Sequence, residues 1–258
     1  TAWSIGDPLR HVDGIFLHKS SWIDENGIVS SWNGNNLVWT LPVTLWNLSY
    51  LKDFNVSRNT ISGTIPNSIT QLTGLEQVWI RNNLFSGPLP TNWSSIKTLK
   101  VLDANTNQFT WTIPATLATS TGLQRIDLWS NQLTGTIPST FGSLKVLSAL
   151  VLGNNQLQWF IPSELGNATW LQFLDLRNNR FVGTVPNSFT QLTGIIGTTN
   201  KWFYIEWNAL NRNIWPNHEA ILTPSVDSWF TILTNKWRNN QKDITPPIIS
   251  WTGTVPVV

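Results

Sequence analysis

The chain has 258 residues, 12% of them charged, a formal net charge of +2, no cysteine and no methionine. Without thiols it can form no disulfide, no cysteine-ligated metal site and no cysteine nucleophile. Its balanced charge, with no Lys/Arg block, leaves no electrostatic footprint for nucleic acid, and the charge-free tail from Ile244 to Val258 is short and broken by Pro246, Pro247 and Pro256, so no membrane span is expected in this chain.

In chain order, residues 1–26 precede a strict period and read as an N-terminal cap. The period itself is Asn-x-Leu-x-Gly-x-Ile-Pro, with its Asn at Asn35, Asn59, Asn83, Asn107, Asn131, Asn155 and Asn179 and its closing proline at Pro42, Pro66, Pro90, Pro114, Pro138, Pro162 and Pro186. Seven coils of one constant length, the step from Asn59 to Asn83, fill residues 27–195 and predict a solenoid. Within a coil, Val78 and Ile80 alternate with polar residues, the period of a short strand with one buried face. Stacked coils then give a parallel sheet with strands around 53–57, 77–81, 101–105, 125–129, 149–153 and 173–177. The recurring Asn at each strand's end is expected to bond turn backbone groups of neighbouring coils. A second short extended piece, such as Ser62 to Pro66, follows, and the remainder returns along the outer side while dropping Ile69 and Leu72 into the core. Beyond Gly194 the register is lost. A stretched eighth coil is traceable as Asn208-x-Leu210, and residues 196–258 read as divergent repeats and a C-terminal cap covering the last apolar face.

The strings Asn59-Thr60-Ile61-Ser62-Gly63-Thr64-Ile65-Pro66 and Asn131-Gln132-Leu133-Thr134-Gly135-Thr136-Ile137-Pro138 resemble plant-type leucine-rich repeats. The opening, with Trp3, Asp7-Pro8 and Asp13-Gly14-Ile15-Phe16, is similar to the N-terminal cap of that family, which normally carries paired cysteines; they are missing near Leu9, Leu17 and Trp22. The resemblance implies an α/β solenoid, a right-handed leucine-rich-repeat superhelix with a parallel β-sheet on its concave face and irregular or 3-10 segments on its convex face. It also implies a receptor-ectodomain-like or secreted-inhibitor-like module that binds another protein or a peptide.

Function in a solenoid comes from surfaces, and the strand residues pointing away from the core form three columns. They bring together Trp79, Arg81, Asp103, Arg125, Asp127, Trp129, Phe173, Asp175 and Arg177, the aromatic, arginine and carboxylate mixture that recognition surfaces favour. Trp79, Arg81, Arg125 and Trp129 are the expected anchors, whereas Asp127 and Asp175 also fit a consensus surface role. Asp103 and Asp127, one coil apart, superficially resemble a glycosidase carboxylate pair. On an open, solvated face nothing would drive their pKa values apart, so no enzyme activity is expected. His11, His18 and His218 lie outside the regular repeats, and no metal or cofactor is expected.

Asn-x-Ser/Thr acceptors at Asn47, Asn55, Asn92 and Asn167 favour an extracellular or cell-surface location; Asn55 alone sits in a concave column. Two alternatives to ligand binding stand beside it. One is a structural subunit of a larger assembly. The other is ice binding, suggested by Thr110-x-Thr112 and Thr134-x-Thr136 stacked on adjacent coils. Finally, the glycine slot of the repeat reads Trp39, Gly63, Gly87, Trp111, Gly135, Trp159, Gly183, placing tryptophan where the backbone normally turns tightly without a side chain.

Overall fold

The computed structural model describes residues 14–16, 21–23, 29–31, 51–195, 202–205 and 207–210. The expectations for Asn35, Trp39, Pro42, Asn47, the three histidines, most of the N-terminal cap and the chain beyond Leu210 lie outside these residues.

Alternating short strands build an eight-stranded main sheet from Gly14–Phe16, Asp53–Asn55, Gln77–Trp79, Val101–Asp103, Arg125–Asp127, Ala149–Val151, Phe173–Asp175 and Trp202–Tyr204. Every neighbouring pair is parallel. The register advances by one whole coil per strand from Asp53↔Gln77 to Ala149↔Phe173, because each strand's middle residue must be apolar to reach the interior. Those residues, Phe54, Val78, Leu102, Ile126, Leu150 and Leu174, are all buried. At the N-terminal end Gly14–Phe16 lies beside Asp53–Asn55, whereas Val29–Ser31 pairs antiparallel with Ser21–Ile23.

The core is a stack of columns running the length of the solenoid. Leu51, Leu75, Leu99, Leu123, Leu147 and Leu171 form one, and Ile61, Phe85, Phe109, Leu133, Leu157 and Phe181 another. The rings of Phe85 and Phe109 stack with centroids 6.3 Å apart. Where a column changes residue type, the chain compensates unevenly. Ser120 falls in a position otherwise held by Leu72, Ile96, Leu144, Ala168 and Leu192, and its hydroxyl donates to the carbonyl of Ile96. Trp93 occupies the Ile69/Leu117 position, fully buried, with no hydrogen-bond partner for its indole Nε1.

The asparagine ladder is present. Asn83 Nδ2 donates to the carbonyls of Val56 (2.9 Å) and Ile80 (3.1 Å), while its Oδ1 accepts from the Ile61 N–H (3.1 Å). Asn131 and Asn155 repeat the pattern. Asn208 does so as well, accepting from the Phe181 N–H and donating to Leu176 O. The Phe181–Asn208 bond reaches further along the sequence than its counterpart from Leu157 to Asn179, which marks an eighth coil lengthened by an insertion.

On the second flank, short strands such as Leu84–Pro88, Gln108–Thr110 and Arg180–Gly183 pair with a step of about one coil. Outside lie 3-10 segments, Asn67–Gln71, Trp93–Ser95, Ala115–Thr119, Ser139–Ser143, Ser163–Asn167 and Asn187–Gln191. Five of the six follow the closing proline of the repeat directly, since proline's fixed φ sets up the turn without needing an N–H. Successive 3-10 segments approach closely: a Cβ on Gly142 would lie 2.0 Å from the carbonyl oxygen of Glu164, so glycine is a packing requirement there.

Candidate ligand-binding face

The main sheet brings the nine expected residues onto one face, in ladders set by strand register. Asn55, Trp79, Asp103, Asp127, Val151, Asp175 and Tyr204 are successive neighbours. The carboxylates in this row do not stand in solvent as the sequence led us to expect. Asp103 is 0% exposed, Asp175 1% and Asp127 4%.

The cause is local. Each carboxylate folds back to accept the N–H two residues on, Asp103 from Asn105 (3.4 Å), Asp127 from Trp129 (3.2 Å) and Asp175 from Arg177 (3.1 Å). Asn55 does the same for Ser57 (3.1 Å). These are Asx turns that end the strands, so the recurrent acidic position has a structural duty. Asn105 Nδ2 also donates to Asp103 Oδ1 (2.8 Å) and Asp127 Oδ2 (3.3 Å), joining neighbouring coils. Burial, then the neighbouring Asp127 charge, pushes the Asp103 carboxyl up to about 6 against the pull of Arg81.

Three arginines neutralise this row. Arg81 Nη1 lies 3.5 Å from Asp103 Oδ2, Arg177 Nη2 lies 2.9 Å from Asp175 Oδ2, and Arg125 pairs with Asp127 on its own strand. Their side chains stay about a third exposed, at 38%, 34% and 36%. Two also rest on aromatic rings: the Arg177 guanidinium lies 4.4 Å from the Tyr204 ring centroid, and that of Arg81 lies 6.0 Å from Trp79. Trp79 is itself fixed by an indole hydrogen bond to Gln77 Oε1 (3.0 Å).

Sequence reasoning missed two contributors. Tyr204 lies outside the regular repeat frame because of the insertion in its coil, and only the faint Asn208 signal hints at that coil. Gly153 is the other. A Cβ there would meet Asp175 Oδ1 at 2.7 Å and Trp129 Cδ1 at 3.1 Å, so the missing side chain lets the Trp129 indole and the Asp175 carboxylate close in.

Of the acceptor asparagines, Asn92 and Asn167 are exposed at the ends of 3-10 segments. Asn55 is half-buried, and the hydroxyl of its partner Ser57 is enclosed. Among the described residues no group of three His, Cys, Asp or Glu could hold a metal ion, and no helix is long and apolar enough to cross a membrane.

Family profiles described as leucine rich repeats match residues 121–181 and 50–72. The leucine-rich-repeat ectodomain of the Arabidopsis thaliana receptor kinase GASSHO1/SCHENGEN3, solved with CASPARIAN STRIP INTEGRITY FACTOR 2, is similar at 34% identity and a TM-score of 0.65, over 68% of this chain and 20% of that one. The chain is a plant-type leucine-rich-repeat protein. A second similar structure is the Arabidopsis receptor kinase HAESA in complex with the peptide hormone IDA and the co-receptor SERK1 (33% identity, TM-score 0.62, 67% of this chain and 29% of that one). A plant ice-binding protein is similar at 26% identity and a TM-score of 0.60, over 72% of this chain and 60% of that one. The leucine-rich-repeat chain thus spans a fifth to under a third of the two receptor structures. Comparison with curated proteins gave no match. The asparagine ladder and core columns account for most of the repeating residues in this chain. The arginine and aromatic positions are what differ from coil to coil here.

Proposed function

We propose that this leucine-rich-repeat chain is a non-catalytic, extracellular or cell-surface module that binds a protein or peptide on the concave face of its main sheet. Residues 1–26 and 196–258 act as its caps. The observation carrying this reading is the set of guanidinium groups of Arg81, Arg125 and Arg177, each beside a buried carboxylate: Arg125 and Arg177 in close ion pairs, Arg81 at 3.5 Å from Asp103 Oδ2. A guanidinium has five N–H donors in a fixed fork, more than one carboxylate can take up. Held in place before the partner arrives, it binds without much further loss of side-chain freedom. Trp79, Trp129 and Phe173 supply apolar area beside them, and partners bearing carboxylates fit this arrangement best. Likeness to ectodomains solved with a peptide hormone supports the same reading, and exposed Asn92 and Asn167 as glycan acceptors fit an extracellular setting.

Ice binding is disfavoured by register. Thr112 pairs with Thr134, not with Thr136, so the Thr-x-Thr pairs are staggered rather than squared. Trp111 and Trp159 stand 69% and 58% exposed beside them and break the flatness that an ice lattice needs.

The test is selection from a displayed random-peptide library against the whole chain, repeated with the Arg81→Ala/Arg125→Ala/Arg177→Ala variant. Enrichment of acidic peptides that lose binding to the variant supports the proposal. No enrichment, or peptides that bind both proteins equally, would overturn it.

A further inference from the structure

The second flank carries three of the four most exposed aromatic residues among those described, Trp111 at 69%, Phe160 at 66% and Trp159 at 58%; the fourth, Trp170 at 63%, lies in the turn after the 3-10 segment Ser163–Asn167. None of the three on the flank touches the main-sheet face considered above. Their segments, 59–66, 83–90, 107–114, 131–138, 155–162 and 179–186, contain a single charged residue, Arg180. What lies between the rings is hydroxyl and amide: Thr110, Thr112, Thr134, Thr136, Gln156 and Gln158.

The flank is continuous. Thr134 N–H donates to Trp111 O (2.7 Å), Gln156 N–H to Leu133 O (2.8 Å) and Gln158 N–H to Gly135 O (2.8 Å). Trp111 and Trp159 are therefore fixed two coils apart on one backbone ladder, no closer than about 10 Å. Phe160 is held too, because its ring fills the space above Gly183, where a Cβ would lie 2.5 Å from Phe160 Cδ1.

Both tryptophans sit in left-handed backbone, at φ +69° and +73°, in the slot that glycine fills at Gly63, Gly87, Gly135 and Gly183. Large side chains retained at strained positions, pointing into solvent, are uncommon without a use. Protein interfaces also bury tryptophan and phenylalanine, so the choice of partner turns on what lies between the rings, which is uncharged hydroxyl and amide alone. Rigid rings separated by neutral hydrogen-bonding groups suit a ligand with apolar C–H faces and a hydroxyl edge. A pyranose has both.

We propose that this flank binds an extended, uncharged polysaccharide. Sugar rings would stack on Trp111 and Trp159, and Thr112, Thr134, Thr136 and Gln158 would bond the hydroxyls between them. The surface is separate from the arginine face, so the chain would hold a polymer and a peptide at once.

The test is affinity electrophoresis of the whole chain in gels containing soluble β-glucan, xylan or polygalacturonate. The proposal expects retardation by a neutral polymer and not by polygalacturonate, weakened about tenfold or more in Trp111→Gly/Trp159→Gly. Arg125→Ala/Arg177→Ala should be retarded like the parent chain, which separates this site from the peptide site. Glycine is the residue the backbone favours at both positions, so an unchanged melting temperature in the glycine variant will exclude unfolding as the cause. Absence of retardation in both neutral polymers, or equal retardation of parent and glycine variant, would overturn the proposal. So would a tryptophan-dependent dimer in sedimentation or tryptophan-dependent thermal hysteresis, either of which would assign the flank to another partner.

Discussion

Asp103 and Asp127 lie side by side on adjacent strands, both almost out of water, and a single amide, Asn105 Nδ2, donates to both. Two carboxylates so placed cannot both ionise without cost, and Arg81 and Arg125 offset only part of it.

The pH dependence of stability follows. Folded Asp103 holds its proton up to about pH 6, whereas the reference value is 3.8. Between those values the folded Asp103 carboxyl binds more proton than the unfolded one, so its contribution to stability is full below about pH 4 and is lost as pH rises through about 6. The Asp103→Asn variant keeps the Oδ1 acceptor for the Asn105 N–H and removes the charge. Urea melts at pH 4 and pH 6.5 should show the parent losing up to about 3 kcal/mol relative to the variant. Parallel curves for the two proteins would refute the assignment.

Arg81→Ala removes the nearest cation from Asp103 and is expected to raise that carboxyl further. Carboxyl-carbon NMR titration of parent and variant reads this directly, and an unchanged midpoint would mean that the ion pair between them contributes nothing.

Asn131→Ala orphans the N–H of Phe109 between two coils, whereas the Ala104 carbonyl keeps its bond from Asn107 Nδ2. An unpaired buried backbone group costs about 1–3 kcal/mol, so chemical denaturation should register a loss of about 2 kcal/mol. An exposed residue beside it, such as Gln132, should tolerate alanine within about 0.5 kcal/mol.

The glycine slot predicts opposite signs at neighbouring coils. Relieving the left-handed backbone at Trp111 by glycine gains about 1–2 kcal/mol, less about 0.5–1 kcal/mol of extra unfolded-chain entropy, so Trp111→Gly should be neutral to stabilising. Gly135→Ala, at φ +77° with Thr112 Cγ2 only 2.7 Å from the new Cβ, should destabilise. Thermal melts of the two variants moving in the same direction would contradict this account.

Gly153→Val is expected to force Trp129 and Asp175 apart, at a cost of about 1–3 kcal/mol for overpacking. The fluorine resonance of 5-fluorotryptophan at position 129 should shift, and an unperturbed resonance would show that the close approach does not matter.

The repeat frame made the fold legible because each coil obeys the same constraint: an apolar residue must reach the core and an Asn must close the turn. Strand positions from Asp53 to Asp175 and the asparagine bonds could be read from spacing alone. The chemistry of the face could not. Whether Asp103 points to water or folds onto the Asn105 N–H depends on backbone direction at the strand's end, which spacing does not encode. Tyr204 escaped because an insertion shifted its register, and Gly153 because its role is the absence of a side chain. The offset of the Thr-x-Thr pairs was hidden for a related reason. Thr112 and Thr136 are equivalent positions of the repeat, but the ladder of the second flank sets Thr112 beside Thr134 instead.

The central claim, recognition of a peptide by the arginine and aromatic face, is tested most directly by photo-crosslinking. An acidic peptide selected against the chain would carry a photoreactive group, and mass spectrometry would locate the adducts. Crosslinks to the segments 77–81, 125–129 and 173–177 are predicted. Crosslinks confined to the flank segments 107–114 and 155–162, or to the 3-10 side, would contradict it.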